Sequence, residues 1–181
     1  MLLSCEQSLL LIIDVQDKLL PVIADGETTV SRIRWLAEVA RELQVPTVVT
    51  EQNPQGIGYS SESLSDVLSA ARVVEKMHFS AFAEADFREL VNGYQRQQIV
   101  ISGVEAHVCV LQTAIDLLGD GYQVFVVADA VSSRTPENKA FALQRLAQAG
   151  VQIVTTEMVA FEWLEKAGSD IFRHVSKNWI K

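Results

Sequence analysis

"QIVISGVEAHVCVLQTAIDLLGDGYQVFVVAD", residues 98–129, holds two apolar runs separated by one segment of helical period. The runs QIVISG (98–103) and QVFVVAD (123–129) are hydrophobic on both faces, the pattern of strands buried within a parallel sheet. Residues 107–119 carry the helical spacing, and Gly121 stands where that helix should stop. Strand, crossover helix and strand together predict a right-handed βαβ unit. Cys109 falls where the first strand gives way to the helix.

The same alternation extends in both directions. SLLLIID (8–14), PTVVTE (46–51), RVVEK (72–76) and VQIVTT (151–156) read as further buried strands, with helical segments at 28–44, 83–92 and 136–149. In the first helix Val30, Ile33, Leu36, Ala37, Ala40 and Leu43 share one stripe. The last opens on Thr135-Pro136, a cap followed by proline at the first helical position, and Gly93 and Gly150 mark further helix ends. With no internal repeat and no low-complexity linker, residues 1–181 predict one three-layer αβα domain. Its core is a doubly wound, Rossmann-like parallel sheet of six strands in the order 3-2-1-4-5-6. Two regions break the rhythm. QNPQGIGYSSES (52–63) is a polar loop longer than most connections. The tail, about 157–181, reads as one or two helices whose Trp163, Phe172 and Trp179 dock on the domain or on a neighbouring subunit.

Composition removes several classes of function. A net charge of −8 and a pI near 4.9 argue against nucleic acid and anionic membrane, which both select a basic face. The longest apolar stretch falls far short of the roughly 18 residues of a membrane span. The opening MLLSC lacks the charged and apolar regions of a secretory signal. Two cysteines, Cys5 and Cys109, make neither a disulfide framework nor a CxxC pair, so the expected compartment is a reducing cytoplasm.

In an open α/β sheet the ligand crevice lies beyond the carboxyl ends of the strands, where strand order reverses. For this order the reversal falls between strands 1 and 4. Strand 1 ends at Asp14 and strand 4 runs into the Cys109 segment, so both flank one crevice. Strand 3 ends at Lys76, two strands and roughly 10 Å from Asp14, a gap that a lysine stem can close. An acid, an amine and a thiol thus converge. A helix N-terminus and an ammonium favour thiolate, while a carboxylate opposes it yet can accept the thiol proton during attack. Backbone N–H groups of the turn are available to a developing oxyanion. Each residue also has a plain structural use: Cys109 as buried filler, Asp14 as a turn cap, Lys76 as a solvated strand end.

The segments LLIIDVQ (10–16), KMHFSAF (76–82) and ISGVEAHVCVLQTAIDL (101–117) resemble the three signatures of the isochorismatase-like hydrolases, also called cysteine hydrolases. TEQNPQGIG (50–58) and VVADAVSSR (126–134) are similar to a subgroup that includes vertebrate isochorismatase-domain-containing proteins and bacterial relatives. The resemblance implies Asp14 as general base, Cys109 as nucleophile and Lys76 as their supporting ammonium. It implies a cis peptide at Val104–Glu105, with the N–H groups of Glu105 and Cys109 as the oxyanion hole. A covalent acyl-enzyme, a small amide, ureido or ester substrate, and a homo-oligomer are implied as well. Two departures narrow the chemistry. Nicotinamidases of this superfamily carry an Asp and two His after strand 2 for a metal, whereas EQNPQGIG has no histidine. No pair among His78, His107 and His174 has metal-ligand spacing, so neither metal nor cofactor is expected. Isochorismatase proper cleaves a vinyl ether without a nucleophilic cysteine, so Cys109 points to acyl chemistry instead.

Further candidates surround the triad. Gln16 and Gln52 are candidate polar contacts to substrate, Phe79 and Phe82 a candidate apolar wall, and His107 a pocket-lining residue. As a dyad with Cys109, His107 fails, because residues two apart on a helix diverge by roughly 200°. GIGYSS (56–61) lacks the third glycine of a dinucleotide fingerprint, and Asp129 is expected to cap or pin its loop. Two rivals to the hydrolase stand beside it. One is a silent binding or scaffold protein on the same fold. The other is a thiol redox sensor in which Cys5 resolves Cys109.

Overall fold

Period two divides each apolar strand between two cores. In β1 (Ser8–Ile13) every residue is buried: Leu10 and Ile12 enter one cluster, Leu9, Leu11 and Ile13 the other. The computed structural model describes residues 1–180, with side chains as far as Asn178. β1 pairs with β2 (Thr47–Gln52) and β4 (Gln98–Val104). β3 (Arg72–Lys76) lies outside β2, and β5 (Gln123–Ser132) and β6 (Gln152–Val154) extend the other edge. The order is β3-β2-β1-β4-β5-β6 with every pairing parallel, as the alternation predicts.

One face of the sheet is covered by α1 (Gly26–Glu42) and α6 (Thr156–Leu164). In α1 Ile33, Leu36, Ala37 and Ala40 are buried, while Val30 and Leu43 pack half-buried at the ends of the stripe. The opposite face is covered by α3 (Ala85–Tyr94), α4 (Leu111–Gly119) and α5 (Pro136–Ala149), the short helix α2 (Pro54–Ile57) lying in the 52–63 loop. Thr135 caps α5 by accepting the Asn138 N–H, and Gly150 ends it at φ +102°.

Three departures from the expected layout bear on the site. The segment expected to be helical over 107–119 begins as a π-helical turn, Ala106–Val110, before α4. β5 runs on to Ser132 because its pairing with β4 jumps from Ile101–Val126 to Gly103–Val131. Within the excursion Asp129 accepts from Thr156 N–H (2.8 Å) and Oγ1 (2.7 Å), pinning the start of α6. Gly93 lies inside α3, and Gln95 takes the left-handed position at φ +54° instead. At Gly103, φ is +109° and a Cβ would lie 2.1 Å from the Ile13 carbonyl oxygen. Only glycine lets β4 approach β1 that closely, one residue before Asp14.

The tail folds back as α6, α7 (Asp170–Val175) and a π-helical turn, Ser176–Ile180. Trp163 is buried in the α1-side core and its Nε1 donates to Ser8 Oγ at 2.9 Å, with Phe172 packed half-buried on the same cluster. Both therefore dock on their own chain; the Trp179 side chain lies outside the described residues. Among the described residues no helix is long and apolar enough to cross a membrane. Trp163→Ala should destabilise the chain by about 3–5 kcal/mol, chiefly through the cavity, the Ser8 hydroxyl keeping its bond to Gln98 Oε1. Urea unfolding followed by circular dichroism measures this, with the midpoint moving and the slope unchanged.

Candidate active site

The carboxyl end of β1 turns sharply. Asp14 has φ +52°, a left-handed conformation that Asp tolerates better than most residues, and its side chain is fully buried. Thr50 lies opposite Ile13 in register, and its Oγ1 donates to Asp14 Oδ1 at 2.7 Å. The other oxygen, Oδ2, lies 2.8 Å from Lys76 Nζ, a charge contact without the alignment of a hydrogen bond.

Lys76 closes β3 in register with Gln52 and reaches past β2 to Asp14. Its ammonium donates to Gln52 Oε1 (2.6 Å), the Phe79 carbonyl (3.1 Å) and the His78 carbonyl (3.3 Å). The start of the segment that carries those carbonyls is anchored by Glu84, which accepts the N–H groups of Met77 (2.9 Å) and His78 (3.1 Å). The His78 and Met77 N–H groups, with the His78 ring, hold the Glu84 carboxyl at about 2.

Cys109 sits in the π-helical turn, 6% exposed. The Glu105 carbonyl accepts the N–H groups of Val108 (3.1 Å) and Val110 (3.2 Å). The Cys109 N–H, its partner in an ordinary α-turn, is passed over. The thiol lies close enough to Asp14 and Lys76 to feel both charges, so the three groups meet. Burial first, and then the Asp14 charge, push the thiol up to about 12, with Lys76 pulling the other way. Of the opposing influences read from the sequence, burial and the carboxylate outweigh the ammonium here and favour the neutral thiol. Burial also raises Asp14 above the ordinary carboxylate range despite Lys76, which makes it a stronger base than an exposed aspartate.

The remaining candidates divide. Gln16 is fully buried and its amide is spent on backbone: Nε2 donates to the carbonyls of Gln52 and Gly58, and Oε1 accepts the Gln52 N–H. It staples the 52–63 loop and has nothing left for a ligand. Gln52 bridges Lys76 and the Met77 carbonyl, so it orients the ammonium. Phe82 packs edge-on against Tyr122 and under Arg88, a core role. The Phe79 side chain is 53% exposed, at the end of the segment whose carbonyl holds Lys76. His107 is half-buried, its Nδ1 3.0 Å from Ser133 Oγ. The Val104–Glu105 peptide is cis. Thr50 and Glu84 escaped the sequence reading. Thr50 was detectable as the hydroxyl that follows the apolar pair Val48 and Val49 in β2, whereas nothing local marks Glu84.

Residues 8–158 match the isochorismatase domain family. The chain belongs to that family. It is 37% identical to isochorismatase domain-containing protein 2 of Danio rerio over 97% of this chain and 88% of the relative. It is equally close, at 37%, to the secreted isochorismatase effector Isc1 of Phytophthora sojae, over 94% and 83%. The MAR1 ribonuclease of Caenorhabditis elegans superposes with a TM-score of 0.94 at 32% identity, covering 100% of this chain and 93% of that one. YcaC of Escherichia coli, described as an octameric hydrolase of unknown specificity, gives 0.91 at 25%, covering 99% and 91%. Isochorismatase-family membership does not by itself assign a compartment, since one relative is secreted.

Within this isochorismatase-family fold the second thiol is remote. Cys5 precedes β1 and packs on the α1-side core, its Sγ donating to the Trp163 carbonyl at 3.3 Å. Cys109 lies past the far end of β4, on the opposite face. A six-residue strand, roughly 20 Å long, separates the two levels, too far for a disulfide. The redox-sensor alternative thereby loses its resolving cysteine. Removing the Asp14 charge should release Cys109: in a Cys5→Ser background, Asp14→Asn is expected to lower the pH midpoint of the thiolate ultraviolet absorbance. An unchanged or raised midpoint would show that Asp14 does not govern the thiol.

Proposed function

We propose that this protein is a metal-independent cysteine hydrolase acting on a small amide, ureido or ester substrate. The observation that supports it is the meeting of the Asp14, Lys76 and Cys109 side chains in one shielded cluster. In this reading Asp14 takes the thiol proton as sulfur attacks the substrate carbonyl carbon. The carbonyl electron pair moves to oxygen, where the N–H groups of Glu105 and Cys109 stabilise it. The π-helical winding, which withholds the Cys109 N–H from the Glu105 carbonyl, favours that use. On collapse the carbon–nitrogen or carbon–oxygen bond breaks and Asp14 gives its proton to the leaving group. Water, deprotonated by the same carboxylate, attacks the thioester, and Cys109 recovers its proton. Lys76 keeps Asp14 aimed throughout and stabilises its charged form whenever the proton has left.

The comparisons favour the same chemistry. A YcaC structure from Pseudomonas aeruginosa, 25% identical over 99% of this chain, holds covalent acrylamide. The octameric E. coli neighbour supports a homo-oligomer here. A net charge of −8 weighs against a polyanionic substrate despite the ribonuclease name of one neighbour. Two unpaired cysteines favour a reducing compartment such as the cytoplasm.

The decisive experiment incubates the chain with a panel of small amides, ureas and esters and follows intact mass. One or more should leave an acyl adduct that Cys109→Ala abolishes. Asp14→Asn should lower turnover at least about 100-fold, the scale of a lost general base. Lys76→Ala should cost nearly as much, since groups acting as a unit are not additive. Ligand binding without any adduct would favour a silent binding protein on this fold.

A further inference from the structure

Arg134 lies on the turn from β5 into α5 and directs its polar atoms at one residue. Its backbone N–H donates to Glu105 Oε2 (2.9 Å), its Nε lies 3.1 and 3.2 Å from the two carboxylate oxygens, and its Nη2 donates to Oε1 at 2.7 Å. The Glu105 side chain is 6% exposed and that of Arg134 57%. Burial opposes ionisation of Glu105, but the Arg134 hydrogen bonds and charge outweigh it and hold the carboxyl below its usual range. Ser133, the preceding residue, places Oγ 3.0 Å from His107 Nδ1. Two successive residues therefore grip two residues of the turn that carries Cys109.

That gripping segment is itself anchored. Val104 pairs with Ser132, Ser132 Oγ donates to the Ala24 carbonyl (2.6 Å), and the Ala24 N–H donates to the Ser133 carbonyl (2.9 Å). On the other side, the Glu105 carbonyl accepts from Val108 and Val110, so Glu105 sets the winding around Cys109. We propose that Arg134 is a positioning residue: through Glu105 it holds the turn that aims the Cys109 thiol and N–H at a bound carbonyl. The inference rests on the hydrolase reading above. A planar guanidinium suits the task because it fixes a carboxylate in orientation as well as in charge, which an ammonium does not.

The test compares the full-length native chain with Arg134→Gln, Arg134→Lys and the double variant Glu105→Gln/Arg134→Gln. Hydrogen exchange of residues 105–110 should quicken by about tenfold in Arg134→Gln while β1 to β3 stay protected. With a substrate from the acyl-adduct panel, kcat should fall roughly 10- to 100-fold with KM nearly unchanged, the signature of a misplaced reacting group. Arg134→Lys should recover part of the rate. The double variant, which leaves no unpaired carboxylate, should recover thermal stability without recovering rate. Native exchange at 105–110 in Arg134→Gln, or a native rate despite faster exchange, overturns the proposal. So does full recovery of rate in the double variant. If Arg134→Gln fails to fold, Arg134→Lys carries the same comparisons. If the native chain forms no acyl adduct, the hydrolase reading falls instead. Exchange, together with the rate at which iodoacetamide alkylates Cys109, then decides the positioning role, an unchanged pair overturning it.

Discussion

A carboxylate and an ammonium, 2.8 Å apart with both side chains shielded from solvent, govern what the surrounding residues must do. Taking two such charges out of water costs several kcal/mol per ion, and their attraction repays this only where their remaining valences are satisfied. The structure meets that condition from several directions. Thr50 serves Asp14, while Gln52 and two backbone carbonyls serve Lys76. Because those groups end β2 or follow β3, the ion pair ties the carboxyl ends of β1, β2 and β3 together. Replacing such a pair with hydrophobic residues of the same shape is often neutral for stability. Its position therefore argues for chemistry more than for folding.

The sheet supplies the place. Strand order reverses between β1 and β4, so the helices that follow those strands leave on opposite faces and a crevice opens at their carboxyl ends. Gly103 allows β4 to press against β1 just before Asp14, and the π-helical turn then brings Cys109 back toward the carboxylate. The same shielding that makes the thiol a poor acid makes Asp14 a better base. A proton placed between them moves with little change in the number of buried charges, since one anion is exchanged for another. In the proposed reaction, sulfur then stays neutral until a substrate carbonyl draws on it.

Much of this was legible in the sequence, for identifiable reasons. Six short apolar runs left little choice but a covered parallel sheet, and the order of Asp14, Lys76 and Cys109 followed from where those runs end. The edge strands β3 and β6, expected to be buried, are partly exposed because each pairs on one side only. The thiol's balance between neutral and charged forms was not legible, because it depends on burial and on the charge of Asp14, which no periodicity encodes. Gln16 and Phe82 had the right chemistry and chain position for a ligand, yet one staples a loop and the other fills a core. Backbone pairing and tertiary packing decide such cases. Glu84 acts across a turn on the start of the segment whose carbonyls hold Lys76, two removes from the chemistry and without a sequence mark.

Three carboxyls around the cluster show how environment divides one functional group into three tasks. Asp14, buried with a single ammonium against it, is raised and so fit to carry a proton. Glu84, receiving backbone N–H groups, is held at about 2 and remains an anion that organises a loop. Glu105, gripped by Arg134, is lowered, and its charge is paired with the guanidinium. A site of this kind needs one carboxyl able to change its protonation and others unable to do so. Burial without N–H donors marks the first kind, and donors aimed at the carboxylate mark the second. By that criterion Asp14 is the carboxyl among these three suited to carry a proton in the proposed reaction.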